Sequence, residues 1–179
     1  LFEGLDTRDK IALDFGCGPG RMIVKYADRF RRIDGADISL ENLCHAASWV
    51  LQHGVGECSL FLSNGTDLSE VNDAQYDVVF STICLQHIPV YEIRLNLFRE
   101  FFRVLRPGGW FTAQMSYGVP EGKTPDATYY ENRYNAEGTN GACDVMVKTP
   151  DQLVGDLTVV GFDFDTFRFE IRPAGPSDR

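Results

Sequence analysis

An acid followed by three glycines at alternate positions is where this chain could do chemistry. In "IALDFGCGPGRM", residues 11–22, an apolar run carries Asp14 and then breaks at Gly16, Gly18 and Gly20. Glycine permits a tight turn there and removes the Cβ that would collide with a ligand. A helix starting behind the turn offers free N–H groups and a partial positive charge. A dinucleotide fingerprint would read G-x-G-x-x-G. Counted from Gly16, this chain reads G-x-G-x-G and has Arg21 at the third fingerprint position. Asp14 would repel a pyrophosphate and suits a ligand that carries an ammonium group. An amino-acid-bearing nucleoside is therefore expected rather than NAD. The competing explanation is a plain tight turn, for which one glycine suffices.

Two further side chains have useful chemistry. Asp37 ends the next apolar stretch, and a carboxylate can accept hydrogen bonds from both hydroxyls of a ribose at once. Its structural alternative is a turn residue ahead of Ser39. His87, in "CLQHI", has an unperturbed pKa suited to a general base, or it packs or caps at a helix start. His45 and His53 read as surface residues of a helix without metal-ligand spacing, so no metal site is expected.

These residues need a frame, and the pattern alternates strand and helix. Residues 11–15 form a short apolar run, and Met22, Ile23, Tyr26 and Phe30 recur behind it at helical spacing. Residues 32–36 form a second strand ending in Asp37. Ser39 can cap a helix over residues 40–53, stopped by Gly54 and Gly56. A third strand is expected over 58–62, followed by the polar turn "SNGTDL". The run "YDVVFSTI", 76–83, reads as a strand covered on both faces. Residues 90–105 carry a helical apolar stripe, "RPGG" ends it, and 110–115 form the next strand. This order predicts an α/β fold: a Rossmann-like, doubly wound, mostly parallel sheet with helices on both faces. Residues 117–149 are irregular, and a loop this long is functional or poorly ordered. A helix then restarts with Thr149 as cap and Gly161 as stop. Residues 162–171, "FDFDTFRFEI", alternate as a half-exposed strand does.

At 179 residues and 44% apolar content, one domain over residues 1–179 can bury a sizeable core. The formal charge of −9 argues against nucleic acid as a partner. The arginines at 29, 31 and 32 and at 99, 103 and 106 read as solvated helix faces and C-terminal turns. The five cysteines show no C-x-x-C pair and no zinc spacing, so a reducing, cytoplasmic setting is expected. Neither a signal peptide nor an apolar run long enough to cross a bilayer is expected from the sequence, and so no membrane partner is expected. The first strand begins close to the chain start, which points to a missing N-terminal segment. Only one clear strand follows the last helix, so either residues 117–149 supply another or the domain is truncated.

"LDFGCGPG" resembles the first motif of the class I S-adenosylmethionine-dependent methyltransferases. "GADIS", "SNGTDL", "YDVVFSTICLQHI" and "VLRPGGWF" are similar, in order, to the family's next four landmarks, together covering about residues 11–116. The resemblance implies S-adenosyl-L-methionine as cofactor. It implies that Gly16, Gly18 and Gly20 line its methionine end. Asp14 and backbone carbonyls near Ser81 and Thr82 would take its amino group; for Asp14 a cap or salt-bridge role is the alternative. Asp37 would bind its ribose, and Ile38 would pack on adenine or serve as an ordinary core residue. Asn64, with Asp67 as the competing candidate, would read the adenine edge, and Gly65 would supply an N–H to an adenine ring nitrogen. His87 is the candidate catalytic residue, with Gln86 behind it. Residues 117–149, with Tyr117, Tyr129, Tyr130, Asn132, Tyr134, Asn140, Cys143 and Asp144, form a substrate-side cover or insertion, or else a surface loop.

The expected activity is in-line methyl transfer to a small-molecule acceptor, where holding the reactants collinear and dry outweighs acid–base chemistry. The alternatives are an NAD-type Rossmann oxidoreductase and a non-catalytic S-adenosylmethionine-binding module. The acceptor, the atom methylated and the oligomeric state have no signature in the sequence.

Overall fold

The computed structural model describes residues 1–118, 129–130, 145–163 and 168–170. Five strands lie parallel in one sheet: β1 (Ile11–Phe15), β2 (Arg32–Asp37), β3 (Leu60–Leu62), β4 (Tyr76–Thr82) and β5 (Leu105–Gln114), in spatial order β3-β2-β1-β4-β5. The helices are α1 (Arg21–Tyr26), α2 (Leu40–Gln52), α3 (Tyr91–Val104) and α4 (Pro150–Val160), with single 3₁₀ turns at Ala27–Arg29 and Leu85–His87. The order reverses at β1, between β2 and β4. That reversal opens a crevice at the carboxyl ends of the strands, where ligands of open α/β sheets bind.

Alternation along the strands builds two cores. Leu13 and Phe15 of β1 and Val79 of β4 pack with Leu97, Phe98, Phe101 and Val104 of α3 and Leu157 of α4. Ala12, Val78 and Phe80 point the other way, onto Ile23 of α1, Leu43 and Val50 of α2, and Phe2. β4 is therefore buried on both faces, as its unbroken apolar run predicts. Ser39 caps α2 through its side chain, which accepts from the Asn42 N–H. Thr149 and Gln152 form a capping box on α4, and Gly161 ends it in the left-handed conformation.

Two strand boundaries differ from expectation. β3 begins at Leu60 rather than Cys58, because the Ser59 N–H is drawn to the Asp34 carboxylate, 2.7 Å away. β5 begins at Leu105 rather than Trp110: Tyr76 pairs with Leu105 and Val78 with Trp110, so the "RPGG" residues bulge opposite Asp77. Asp77 Oδ2 holds that bulge, accepting from Arg106 Nη1 at 2.8 Å and from the Ile11 N–H at 2.8 Å.

Beyond β5, Tyr117 bridges Val147 in parallel. Tyr129, Val145 and Val147 are buried together against Tyr91 and Met115. These parts of segment 117–149 are therefore packed, not loose. Asn132, Tyr134, Asn140, Cys143 and Asp144 lie outside the described residues. So do residues 164–167 and 171 of the expected last strand, and its flanks 162–163 and 168–170 are not in strand conformation.

Phe101 is fully buried, stacked on Phe111 at 5.1 Å and edge-on to Phe15 at 4.9 Å. Phe101→Ala is expected to cost about 3–5 kcal/mol in urea denaturation. A loss below about 1 kcal/mol would deny that α3 and the sheet share one core.

Candidate functional site

The turn after β1 is folded onto the tip of β2. Gly16 N–H and Cys17 N–H both donate to the Ala36 carbonyl, at 2.8 and 3.1 Å. The Gly18 N–H donates to Asp37 Oδ2 at 2.8 Å. All three glycines have positive φ, but their surroundings differ. A Cβ at Gly16 would lie 2.3 Å from Cys84 Sγ, and one at Gly20 would lie 3.1 Å from Ala46 Cβ of α2. A Cβ at Gly18 would meet nothing within 4 Å. Gly16 and Gly20 are thus closely packed against the protein itself, and of the three glycines only Gly18 opens onto free space.

Two carboxylates flank this turn in opposite states. Asp37 is held by three donors: Oδ1 accepts from the Ser39 N–H at 2.9 Å and Asn42 Nδ2 at 3.3 Å, and Oδ2 from Gly18. Oδ1 thus has both of its acceptor sites filled, and Oδ2 keeps one for a further donor. The turn role and a ribose role are therefore compatible in this residue. Asp14 is 1% exposed, and its Oδ2 has no hydrogen-bond partner. It makes no helix-capping hydrogen bond and no salt bridge among the described residues. Burial first, and the neighbouring Asp37 charge second, push its carboxyl up to about 8.

On the β2–β3 side, Ile38 is 68% exposed, so it is no core residue. Its Cγ2 lies 3.2 Å from where a Cβ of Gly65 would sit. Asn64 is engaged within its own loop. Its Oδ1 accepts from the Thr66 N–H, Thr66 Oγ1 and the Asp67 N–H, and its Nδ2 donates to Asp67 Oδ2 at 2.8 Å. The Gly65 N–H, expected on adenine, donates to Ser63 Oγ at 3.0 Å. In this conformation the Asn64–Asp67 pair shapes the loop, and the Gly65 donor is occupied.

On the β4 side, Ser81 is buried and its Oγ donates to the Phe15 carbonyl at 3.0 Å, tying the ends of β1 and β4. Thr82 Oγ1 is buried without a partner. Ile83 follows with φ of 60°, a left-handed conformation that strains a β-branched residue. Cys84 then fills the space beside Gly16, and burial pushes its thiol up to about 11. His87 ends the 3₁₀ turn and is exposed; Gln86 is buried, and its carbonyl accepts from the Val145 N–H at 2.7 Å. His45 and His53 are exposed on and beside α2, and no cluster of three metal-ligating side chains exists among the described residues.

Residues 12–109, more than half of the chain, match the family model described as a methyltransferase domain. This chain belongs to the methyltransferase domain family. That family lies within the class I S-adenosylmethionine-dependent superfamily, and its cofactor is S-adenosylmethionine. Phosphoethanolamine N-methyltransferase 2 of Caenorhabditis elegans is 30% identical over 141 residues, 76% of this chain and 31% of that protein. The S-adenosylmethionine-dependent methyltransferase structure from Methanosarcina mazei aligns with a TM-score of 0.55 at 25% identity, over 62% of this chain and 54% of that one. Haemonchus contortus phosphoethanolamine N-methyltransferase 1, solved with phosphoethanolamine and S-adenosylhomocysteine, shares the fold with a TM-score of 0.57 at 20% identity. It is covered over 26% of its length and covers 70% of this chain. The chain therefore spans about a quarter to a half of the lengths of these three proteins.

The residues of this methyltransferase domain fit its cofactor. Asp14 offers an unpartnered acceptor to an ammonium group, Asp37 offers the free site of an oriented Oδ2 to a hydroxyl, and Gly18, bonded to that oxygen, leaves open space at the turn. Sequence reasoning missed a second polar cluster on the α3–α4 side. The Tyr91 and Tyr129 hydroxyls each donate to Asp156 at 2.7 Å. The fully buried Arg94 lies against both rings and donates to the Ile88 and Tyr129 carbonyls. An arginine inside the apolar stripe of α3 and an aspartate inside apolar α4 were its only signals.

Asp14 sets a pH test. Unfolded, it ionises near 3.8; folded, near 8. Between those values the native state binds more protons, so this group's contribution to stability falls as pH rises. Asp14→Asn is expected to raise the melting temperature at pH 8, with the gain shrinking toward pH 4. An offset that is the same at pH 4.5 and pH 8 would refute the buried, partnerless carboxyl.

Proposed function

We propose that this chain is an S-adenosylmethionine-dependent methyltransferase acting on a small-molecule acceptor. The observation that carries the reading is the buried Asp14 oxygen without a partner, beside Asp37 and the open Gly18 turn at the switch point of the sheet. A purely structural turn gains nothing from a carboxylate held there at a stability cost. When bound, S-adenosylmethionine supplies a methyl group already activated by its sulfonium for in-line transfer.

The chain's own residues bind, orient and exclude water. Asp37 receives the ribose hydroxyls, with its carboxylate pre-aimed by Gly18, Ser39 and Asn42. Asp14 supplies the counter-charge for the ammonium group, joined by main-chain carbonyls near Ser81. Ile38 forms an apolar wall for the adenine, and the 63–67 loop bearing Asn64 and Gly65 borders its edge. Gly16 and Gly20 hold the turn in register, and Gly18 faces the methionine portion. His87 stands at the acceptor mouth, where it accepts a proton from nucleophiles that must lose one. Tyr129, Tyr130 and residues 145–147 bound the acceptor side.

Phosphoethanolamine, named for one relative, is a small polar acceptor and supports that substrate class. The charge of −9 speaks against nucleic acid as the acceptor. No helix among the described residues is long and apolar enough to cross a membrane. The free thiols of Cys17, Cys44, Cys58 and Cys84 agree with a reducing, cytoplasmic setting.

Thermal shift with S-adenosylhomocysteine tests the reading. At 100 times its dissociation constant it is expected to stabilise by about 2.7 kcal/mol. A shift with NAD and none with S-adenosylhomocysteine would overturn the proposal. Asp37→Ala is expected to weaken calorimetric S-adenosylhomocysteine binding by roughly 1.5–3 kcal/mol; unchanged affinity would remove Asp37 from the ribose site. His87→Ala is expected to lower turnover on an accepted substrate while leaving cofactor affinity intact. The reverse pattern would make His87 part of the cofactor wall.

A further inference from the structure

Arg94 stands in the apolar stripe of α3 and is fully buried. It makes no salt bridge among the described residues. Its guanidinium donates instead to two main-chain carbonyls, those of Ile88 and Tyr129, and its Nε is buried without a partner. The rings of Tyr91 and Tyr129 flank the guanidinium, with centres 5.8 and 5.3 Å from its carbon. The hydroxyls of the same two rings donate to Asp156 of α4, at 2.7 Å each. The acid that balances the buried charge is therefore reached through the tyrosines.

Taking a guanidinium out of water is costly, and a well-packed apolar side chain of similar volume is often at least as stabilising. An apolar side chain cannot hold two carbonyls at once, which the planar fork of an arginine does. The two carbonyls belong to different walls of the acceptor mouth. Ile88 directly follows His87, at the end of the 3₁₀ turn after β4. Tyr129 belongs to the segment after β5 and is buried with Val145 and Val147. That segment also reaches the turn through the Val145 N–H, which donates to the Gln86 carbonyl at 2.7 Å. Tyr129 is held at both ends, its carbonyl by Arg94 and its hydroxyl by Asp156.

We propose that Arg94 is a positioning residue of the acceptor site: its guanidinium clamps the His87 turn to the segment after β5, so that the two walls open and close as one unit. The proposal rests on the methyltransferase reading above and concerns the acceptor half of that site. The place of His87 at the mouth is thereby set from α3, by a side chain that takes no part in the proton transfer.

Hydrogen exchange and histidine NMR on the whole chain test this. In the wild type the His87 N–H, bonded to the Cys84 carbonyl, and the Val145 N–H are expected to share one opening event, with protection factors within about threefold of each other. Arg94→Lys keeps the charge but replaces the fork by a single nitrogen; Arg94→Met keeps the length and removes the charge. Each is expected to speed Val145 exchange about tenfold. Each should also shift the His87 imidazole signal, which is assigned by its loss in His87→Ala. Calorimetric affinity for S-adenosylhomocysteine is expected to stay within about twofold of wild type. Val50→Ala, in the core on the other face of the sheet, should lower the melting temperature and leave both readouts in place. Wild-type protection factors about tenfold or more apart overturn the proposal, even if neither Arg94 variant folds. So does an unmoved His87 signal in both variants, or an equal change in Val50→Ala, which would make Arg94 a packing residue only. If the wild type does not bind S-adenosylhomocysteine, the methyltransferase reading fails and the acceptor-site role with it. Intact binding with an unmoved His87 signal removes the clamp alone.

Discussion

Two carboxylates with no salt bridge among the described residues share one buried face of this sheet, and much of the local design follows from that constraint. Asp37 meets it by accepting three donors, which ties the glycine turn to β2 and to the start of α2 in one stroke. Asp14 does not meet it at all and is held in its neutral form instead. A site that must later welcome a cation is well served by an acid that burial has left unsatisfied, because the free-energy penalty is removed when the cation arrives.

The rest of the fold keeps those two acids in register. Below the site, Asp34 accepts two hydrogen bonds from Arg32, one from the Ser59 N–H and one from the Tyr76 hydroxyl, joining β2 to the approach to β3 and the start of β4. Asp77 joins β1, β4 and the bulge of β5. Arg103 of α3 donates to Glu100, Asp73 and the carbonyls of Leu68 and Val71, so the long connection after β3 is held without secondary structure of its own. These networks lie toward the opposite ends of the strands and at their flanks, which leaves the carboxyl ends free for chemistry.

The alternating βα order and the strand-ending acids were legible because period-two apolar runs and glycine punctuation are strong local signals. Asp14 and Asp37 could be singled out from their position alone. The division of labour among Gly16, Gly18 and Gly20 could not, since it depends on Cys84 and Ala46 arriving from elsewhere in the chain. Thr82 was illegible as a side chain for a similar reason: a hydroxyl lacking a partner is defined by what surrounds it. Asn64 and Gly65 read as ligand contacts in the linear sequence; what it did not show is that Asn64 Oδ1 closes an Asx-type turn and that the Gly65 N–H donates to Ser63 Oγ. The early start of β5 was hidden because its first pairing precedes a proline and two glycines, a signature that ordinarily marks a break.

Among the described residues, the segment after β5 is fastened partly through the main chain, by the Val145 N–H on the Gln86 carbonyl and by Arg94 on the Tyr129 carbonyl, and partly through the Tyr129 hydroxyl on Asp156. Carbonyl and amide groups are common to nearly every residue type. The Val145 hydrogen bond therefore survives a change of side chain at that position, whereas the anchorage through the Tyr129 hydroxyl does not.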